Sequence, residues 1–112
     1  MSITTHVLDV AAGQPAAGIE VKLAERNRHG EWRDRGRAVT NDDGRAEGLL
    51  GSNGLEPSIY RLRFDVSDYF EGRETQTFFP FVDVVFRVTD PGARYHVPLL
   101  LSPWGYSTYR GS

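Results

Sequence analysis

Apolar and polar residues alternate along much of this chain, and that period of two predicts strands. Residues 3–10 begin the pattern, and Ala12, Gly13, Gln14 and Pro15 then break it, because proline removes a ladder donor and glycine frees the turn. Over 19–23, Ile19, Val21 and Leu23 alternate with Glu20 and Lys22, as in a strand wet on one face. A turn at 27–30 leads into 31–40, where Trp32 and Val39 are the only large apolar residues, a composition that suits an edge strand. Asn41, Asp42, Asp43 and Gly44 form a strong turn signal, since Asx residues and glycine accept left-handed backbone angles, and Arg45 leaves it in a short strand.

After a loop at 51–57 the alternation returns over 59–64, with Tyr60, Leu62 and Phe64 on one face and Arg61 and Arg63 on the other. Asp65 or Ser67 can cap a helix of about two turns that carries Tyr69 and Phe70 and ends near Gly72, too short to hold by propensity alone and so packed on the sheets. Strands at 81–88, 94–102 and 104–110 follow, with hairpin turns at 90–92 and around Pro103. The expectation is an all-β fold of eight strands and one short helix, a sandwich in a single domain over 1–112. The first and seventh strands are apolar on both faces, Val7 against Leu8, and Tyr95, Val97, Leu99 and Leu101 against Pro98 and Leu100. A single core covers one face of a sheet, so the second apolar surface implies an oligomer.

Composition narrows the function more than the fold. With 13 basic and 15 acidic residues and no long run of one sign, neither nucleic acid nor a lipid surface is an expected partner. Cysteine is absent, which removes disulfides, thiolate nucleophiles and cysteine metal sites. No apolar run approaches the ~18 residues of a membrane span, residues 1–10 do not resemble a signal peptide, and the cytosol is the expected compartment.

Of the three histidines, His6 falls in line with Leu8, and His96 with Pro98 and Leu100, on the outward faces of the doubly apolar strands. They could meet across one interface, although a lone strand histidine is more often a half-buried residue with a satisfied hydrogen bond. His29 sits in an Arg-His-Gly turn and reads as a solvated surface residue. Arg45 taken alone would be a surface ion-pair partner. No Gly-x-Ser-x-Gly elbow, His-Glu-x-x-His or phosphate loop occurs. Motif reading by itself therefore stops at two histidines on a sandwich.

Two segments go further: His6-Val7-Leu8-Asp9 with Gly13 and Pro15, and the run from Tyr95-His96-Val97-Pro98 through Ser102-Pro103 to Tyr109-Arg110-Gly111-Ser112. Together with Asp43-Gly44-Arg45, Ile59-Tyr60, Tyr69-Phe70 and Phe78-Phe79-Pro80, they resemble the 5-hydroxyisourate hydrolases, the transthyretin-related enzymes, along the whole chain. Tyr109 to Ser112 is the most specific element, because it separates these hydrolases from transthyretin, which shares the fold and carries hormone.

The resemblance implies a transthyretin-like two-sheet β-sandwich assembled as a homotetramer, a dimer of dimers with active sites in a channel. It also implies hydrolysis of the small-molecule substrate 5-hydroxyisourate to 2-oxo-4-hydroxy-4-carboxy-5-ureidoimidazoline, on the route from urate to allantoin. Amide hydrolysis needs an activated water and a place for charge on the carbonyl oxygen. Histidine titrates in the right range for the first task and a guanidinium suits the second. The implied catalytic residues are His6, Arg45, His96 and Ser112: a histidine deprotonates water, Arg45 holds the carbonyl, and Ser112 offers its hydroxyl or terminal carboxylate. Which histidine is the base stays open. The implied substrate-binding residues are His6, Arg45, Tyr109 and Arg110, with Tyr109 shaping the substrate pocket and Arg110 pairing with nearby carboxylates. No cofactor or metal is implied, and two histidines without a third ligand leave zinc incidental. The alternatives are a transthyretin-like carrier of an apolar ligand, which predicts no histidine pair, and an immunoglobulin-like adhesion domain, which would often carry cysteines.

Overall fold

A computed structural model describes residues 2–52 and 54–112; Met1, and Asn53 within the expected 51–57 loop, lie outside the described residues. The first strand, β1 (Ser2–Asp9), alternates without a break between half-buried and buried positions, so Ile3, Thr5, Val7 and Asp9 turn inward. Their neighbours Thr4, His6 and Leu8 turn outward. Strand β8 (Arg94–Ser102) runs parallel to β1, with Thr4 opposite His96, His6 opposite Pro98 and Leu8 opposite Leu100. These two strands form the centre of one sheet.

On its other side, β1 is shared by two short strands, β2 (Gln14–Pro15) at its end and β5 (Arg45–Ala46) near its middle. β9 (Gly105–Thr108) continues antiparallel from β8 and closes this sheet. The second sheet has the order β4 (Trp32–Val39), β3 (Glu20–Arg26), β6 (Ser58–Phe64), β7 (Val82–Val88), all antiparallel. Between the sheets lies one core, in which Val7, Leu99 and Leu101 of the first face Val21, Tyr60, Leu62 and Phe64 of the second, all essentially without solvent contact. Burying side chains of this size contributes about 1.5–3 kcal/mol each before chain entropy is counted.

The expected fold stands, a two-sheet sandwich with one short helix and β4 at an edge, and three local expectations change. Gln14–Pro15 is a ninth strand among the described residues instead of a simple break. Gly13 does make the turn (φ 70°), but the reversal lays Pro15 beside Leu8 on a sheet edge, where a missing N–H is tolerated. Asp65 holds the cap position of α1 (Val66–Gly72) without a side-chain bond, and Ser67 lies inside the helix. The backbone N–H of Asp65 donates instead to the Glu20 carbonyl (3.0 Å), and buried Val66 and Phe70 hold the helix to the core. The final strands are shorter than expected, at Val82–Val88 and Gly105–Thr108.

Helix and first sheet are joined by Asp9, which is 3 % exposed. Its carboxylate accepts from the Ala12 N–H (2.9 Å) and the Tyr69 hydroxyl (2.7 Å), with Arg73 Nε 3.8 Å away. Burial, and then the adjacent Asp9 carboxylate, push the Tyr69 phenol up to about 12, so it stays protonated and keeps donating.

Candidate active site

Because β1 exports every second residue, Thr4 and His6 stand on the outer face of the first sheet, and the register carries the other groups to them. Arg45 on β5 lies opposite His6. His96 on β8 lies opposite Thr4 on one side, and on the other it bridges to Gly111, where the last residues continue the β8·β9 register. Arg45 and His6 therefore stand in one cross-strand row, and Thr4, His96 and Gly111 in the neighbouring row on the same face of the sheet.

Arg45 is set by its turn. The Asn41 side-chain oxygen accepts from the N–H groups of both Asp43 and Arg45 (3.0 Å each), and the Gly44 N–H donates to the Asn41 carbonyl (2.8 Å). Val7 then donates its N–H to the Gly44 carbonyl (2.7 Å), which docks the turn onto β1. Gly44 has to be glycine there: its φ is 77°, and a Cβ would stand 2.4 Å from the Val7 carbonyl oxygen. The same turn holds His6, whose Nε2 is 2.8 Å from the Asp43 carbonyl oxygen. A carbonyl only accepts, so His6 Nε2 carries a proton, and in the neutral ring Nδ1 holds the lone pair.

His96 is half-buried. Its Nδ1 is 2.9 Å from the Thr4 hydroxyl, and the Gly111 N–H donates to its backbone carbonyl (2.8 Å). A Cβ on Gly111 would lie 2.5 Å from Cδ2 of the imidazole, so the ring is wedged between Thr4 and the closing segment. Burial lowers the His96 pKa below its ordinary 6.5, and the charges of Arg45 and His6 lower it further. A neutral imidazole beside a guanidinium results, which is the state a general base needs.

His96 and Arg45 line an open cleft of about 560 Å³ together with Ser112, Thr4, Glu47 and Arg94. No carboxylate forms an ion pair with Arg45 among the described residues, which leaves its guanidinium to a ligand. Arg45, His6, His96 and Ser112 are thus brought to one region. Tyr109 and Arg110 are not: both line a separate, mainly apolar depression with Val84, Phe86, Tyr95 and Val97. Arg110 stacks over the Tyr95 ring (4.7 Å to the centroid) instead of pairing with a carboxylate. His29 is exposed in the turn held by Asn27, as expected of a surface residue. Sequence reasoning missed Thr4, although it sits two positions before His6 on the same face.

The chain matches the HIUase/Transthyretin family over residues 3–111. The 5-hydroxyisourate hydrolase of Deinococcus radiodurans is 49% identical over 115 residues, covering 98% of this chain and 95% of the relative. That of Mus musculus is 45% identical over 111 residues, covering 98% and 94%. The fold is also that of sea bream transthyretin, solved in complex with thyroxine, with a TM-score of 0.92 at 27% identity over 99% of this chain and 95% of that one. The chain belongs to the HIUase/Transthyretin family.

Proposed function

We propose that this chain hydrolyses 5-hydroxyisourate to 2-oxo-4-hydroxy-4-carboxy-5-ureidoimidazoline, within urate degradation to allantoin. The observation that carries the reading is the gathering of Arg45, His6 and His96 on one sheet face in two neighbouring cross-strand rows, with a guanidinium that has no ion pair among the described residues beside a histidine kept neutral. His96 takes a proton from water as it attacks the ring carbonyl, and Arg45 receives the charge that develops on the carbonyl oxygen. His6, with its Nδ1 lone pair free of the turn, orients the water or substrate, and Ser112 offers its hydroxyl from the cleft wall. A transthyretin-like carrier fits less well, because the cleft is lined by Arg45, Glu47, Arg94 and His96 and the hydrolase relatives share far more sequence than the thyroxine-bound transthyretin does.

The proposal includes assembly as a homotetramer. Leu8 and Leu100 are only half-covered on the outer face beside the histidines, and the open side near β7 and β9 exposes Phe81, Val85, Tyr106 and Tyr109. Both surfaces are of the kind a second copy covers. In such an assembly Tyr109 and Arg110 would reach a substrate only across a subunit boundary, the role given to them here. No described helix is long and apolar enough to cross a membrane; the cytosolic location expected from the sequence is part of the same proposal.

Following the absorbance of 5-hydroxyisourate with and without the pure protein tests the reaction, with spontaneous decay as the control. Decay no faster than the control would overturn it. Light scattering that returned an active monomer of 12.6 kDa would overturn the tetramer.

A further inference from the structure

Among the described residues the Thr4 hydroxyl makes one side-chain hydrogen bond, with Nδ1 of His96, 92 positions away in sequence. We propose that Thr4 is a positioning residue for His96: it accepts a hydrogen bond from Nδ1–H and so fixes the tautomer that leaves the lone pair on Nε2. This rests on the reading of His96 as the base. A neutral imidazole has one N–H and one lone pair, and a hydroxyl can serve either nitrogen state as donor or acceptor. His96 Nε2 has no protein hydrogen-bond partner among the described residues, so it is the nitrogen available to water. For Nε2 to act as a base its proton must be absent, hence Nδ1 must carry it and Thr4 must accept.

Free histidine in water favours the opposite tautomer, with the proton on Nε2. Holding the less favoured one takes an acceptor at Nδ1, and the Thr4 hydroxyl at 2.9 Å supplies it. The charges around the ring act the same way. Arg45 on β5, Arg94 at the start of β8 and His6 on β1 place positive or potentially positive groups about the cleft, against the carboxylate of Glu47 and the terminal carboxylate of Ser112, and it is Arg45 and His6 whose charges act on the His96 ring. A cationic surrounding favours a lone pair over an N–H directed at it. Thr4 is also β-branched, which keeps its χ1 stiff on a strand, and β1 pairs with β8 along its whole length, so the hydroxyl is held at a fixed place relative to the ring.

The test compares Thr4→Val, which keeps shape and strand propensity but removes the hydroxyl, with Thr4→Ser, which keeps the hydroxyl. ¹⁵N chemical shifts of the His96 ring in the substrate-free protein report which nitrogen bears the proton, and kcat and KM are measured on 5-hydroxyisourate. The expected result is Nδ1–H in the wild type and in Thr4→Ser, and a shift toward Nε2–H in Thr4→Val. In Thr4→Val kcat should fall by about tenfold or more while KM changes by less than about threefold, the scale on which partners that fix a histidine tautomer act. Wild-type His96 protonated at Nε2, or a Thr4→Val protein with unchanged tautomer and unchanged kcat, would overturn the inference. Wild-type protein with Nδ1–H but no hydrolysis would overturn the functional reading and leave the tautomer assignment standing. A Thr4→Val chain that failed to fold would pass the decision to the wild-type ring shifts together with Thr4→Ser.

Discussion

Replacing Gly111 with alanine isolates the placement of the His96 ring from nearly everything else. The new Cβ would stand 2.5 Å from Cδ2, 3.2 Å from Cγ and 3.3 Å from the backbone oxygen of His96. Carbon atoms in contact sit about 3.5–4.0 Å apart, so ring and Cβ must separate by about 1 Å. Gly111 is not among the residues at positive φ, and alanine therefore adds no backbone strain of its own. Two responses are open: the imidazole moves, or the closing segment lifts and gives up the Gly111 N–H bond to the His96 carbonyl. A misplacement of about 1 Å at a reacting group costs about 10² in rate. Loss of the backbone bond costs about 1 kcal/mol, offset in part by the smaller entropy of an unfolded chain with alanine in place of glycine.

The expected outcome is a fall of about 10² in kcat/KM with stability within about 1 kcal/mol of wild type. Turnover is followed by substrate absorbance and stability by urea unfolding. A cycle with His96→Ala locates the cause. Once the ring is gone, the two contacts to Cδ2 and Cγ disappear, and Gly111→Ala should then add little to the loss that His96→Ala already produces. Gly111→Ala with wild-type kcat/KM, or one that costs as much rate in the His96→Ala background as in the native one, would refute the placement of the ring by this glycine.

Three further predictions follow from the same geometry. Single replacement of His6, Arg45 or His96 should lower kcat/KM by about 10² or more without loss of folding, and wild-type rates in all three with unchanged assembly would remove the site from this face. The acid limb of the pH–rate profile should lie below 6.5, because the base works only when neutral and the His96 pKa is lowered by burial, Arg45 and His6. Arg45→Met removes one of those charges and should move the limb of its residual activity upward; movement downward would contradict the assignment of His96 as base. Tyr69→Phe takes one donor from a buried carboxylate and should cost about 1–3 kcal/mol in urea unfolding with turnover unchanged, whereas unaltered stability would show that Ala12 and Arg73 suffice to hold Asp9.

Strand periodicity made much of this legible, and the parts it missed have a common cause. A period of two says which residues share a face, so His6 and His96 could both be set on outward faces from sequence alone. It carries no register, and nothing local indicates that the first strand runs parallel to the eighth with Thr4 opposite His96. Thr4 was missed for that reason: its value lies entirely in a contact across 92 residues. Pro15 shows the same limit from another side. The local rule read a break correctly at Gly13, but only the pairing with Leu8 makes the following residues a strand. For Tyr109 and Arg110, resemblance supplied a role in the substrate pocket, and the fold of one chain places both in a different depression. The motif divides at Gly111, whose bridge to His96 carries Ser112 to the cleft while Tyr109 and Arg110 stay in the other depression, so a shared motif need not share a cavity.

Alternation also explains why the site can tolerate so little slippage. The residues that fill the core and those that form the site alternate on the same strands: Thr5 and Val7 inward beside His6, Tyr95 and Val97 inward beside His96. A shift of one residue in the β1·β8 register would turn over one strand relative to the other, sending either His6 into the apolar core and Val7 out or His96 in and Val97 out, so the hydrophobic energy of the sandwich enforces the register of the site. Arg45 lacks that protection, since β5 has only two residues and one of them, Ala46, turns inward. Its register depends instead on the Asn41 to Gly44 turn, the bond from Val7 to the Gly44 carbonyl, and the absence of a side chain at Gly44. The long strands thus place the two histidines through packing, and a four-residue turn places the arginine through hydrogen bonds and one glycine.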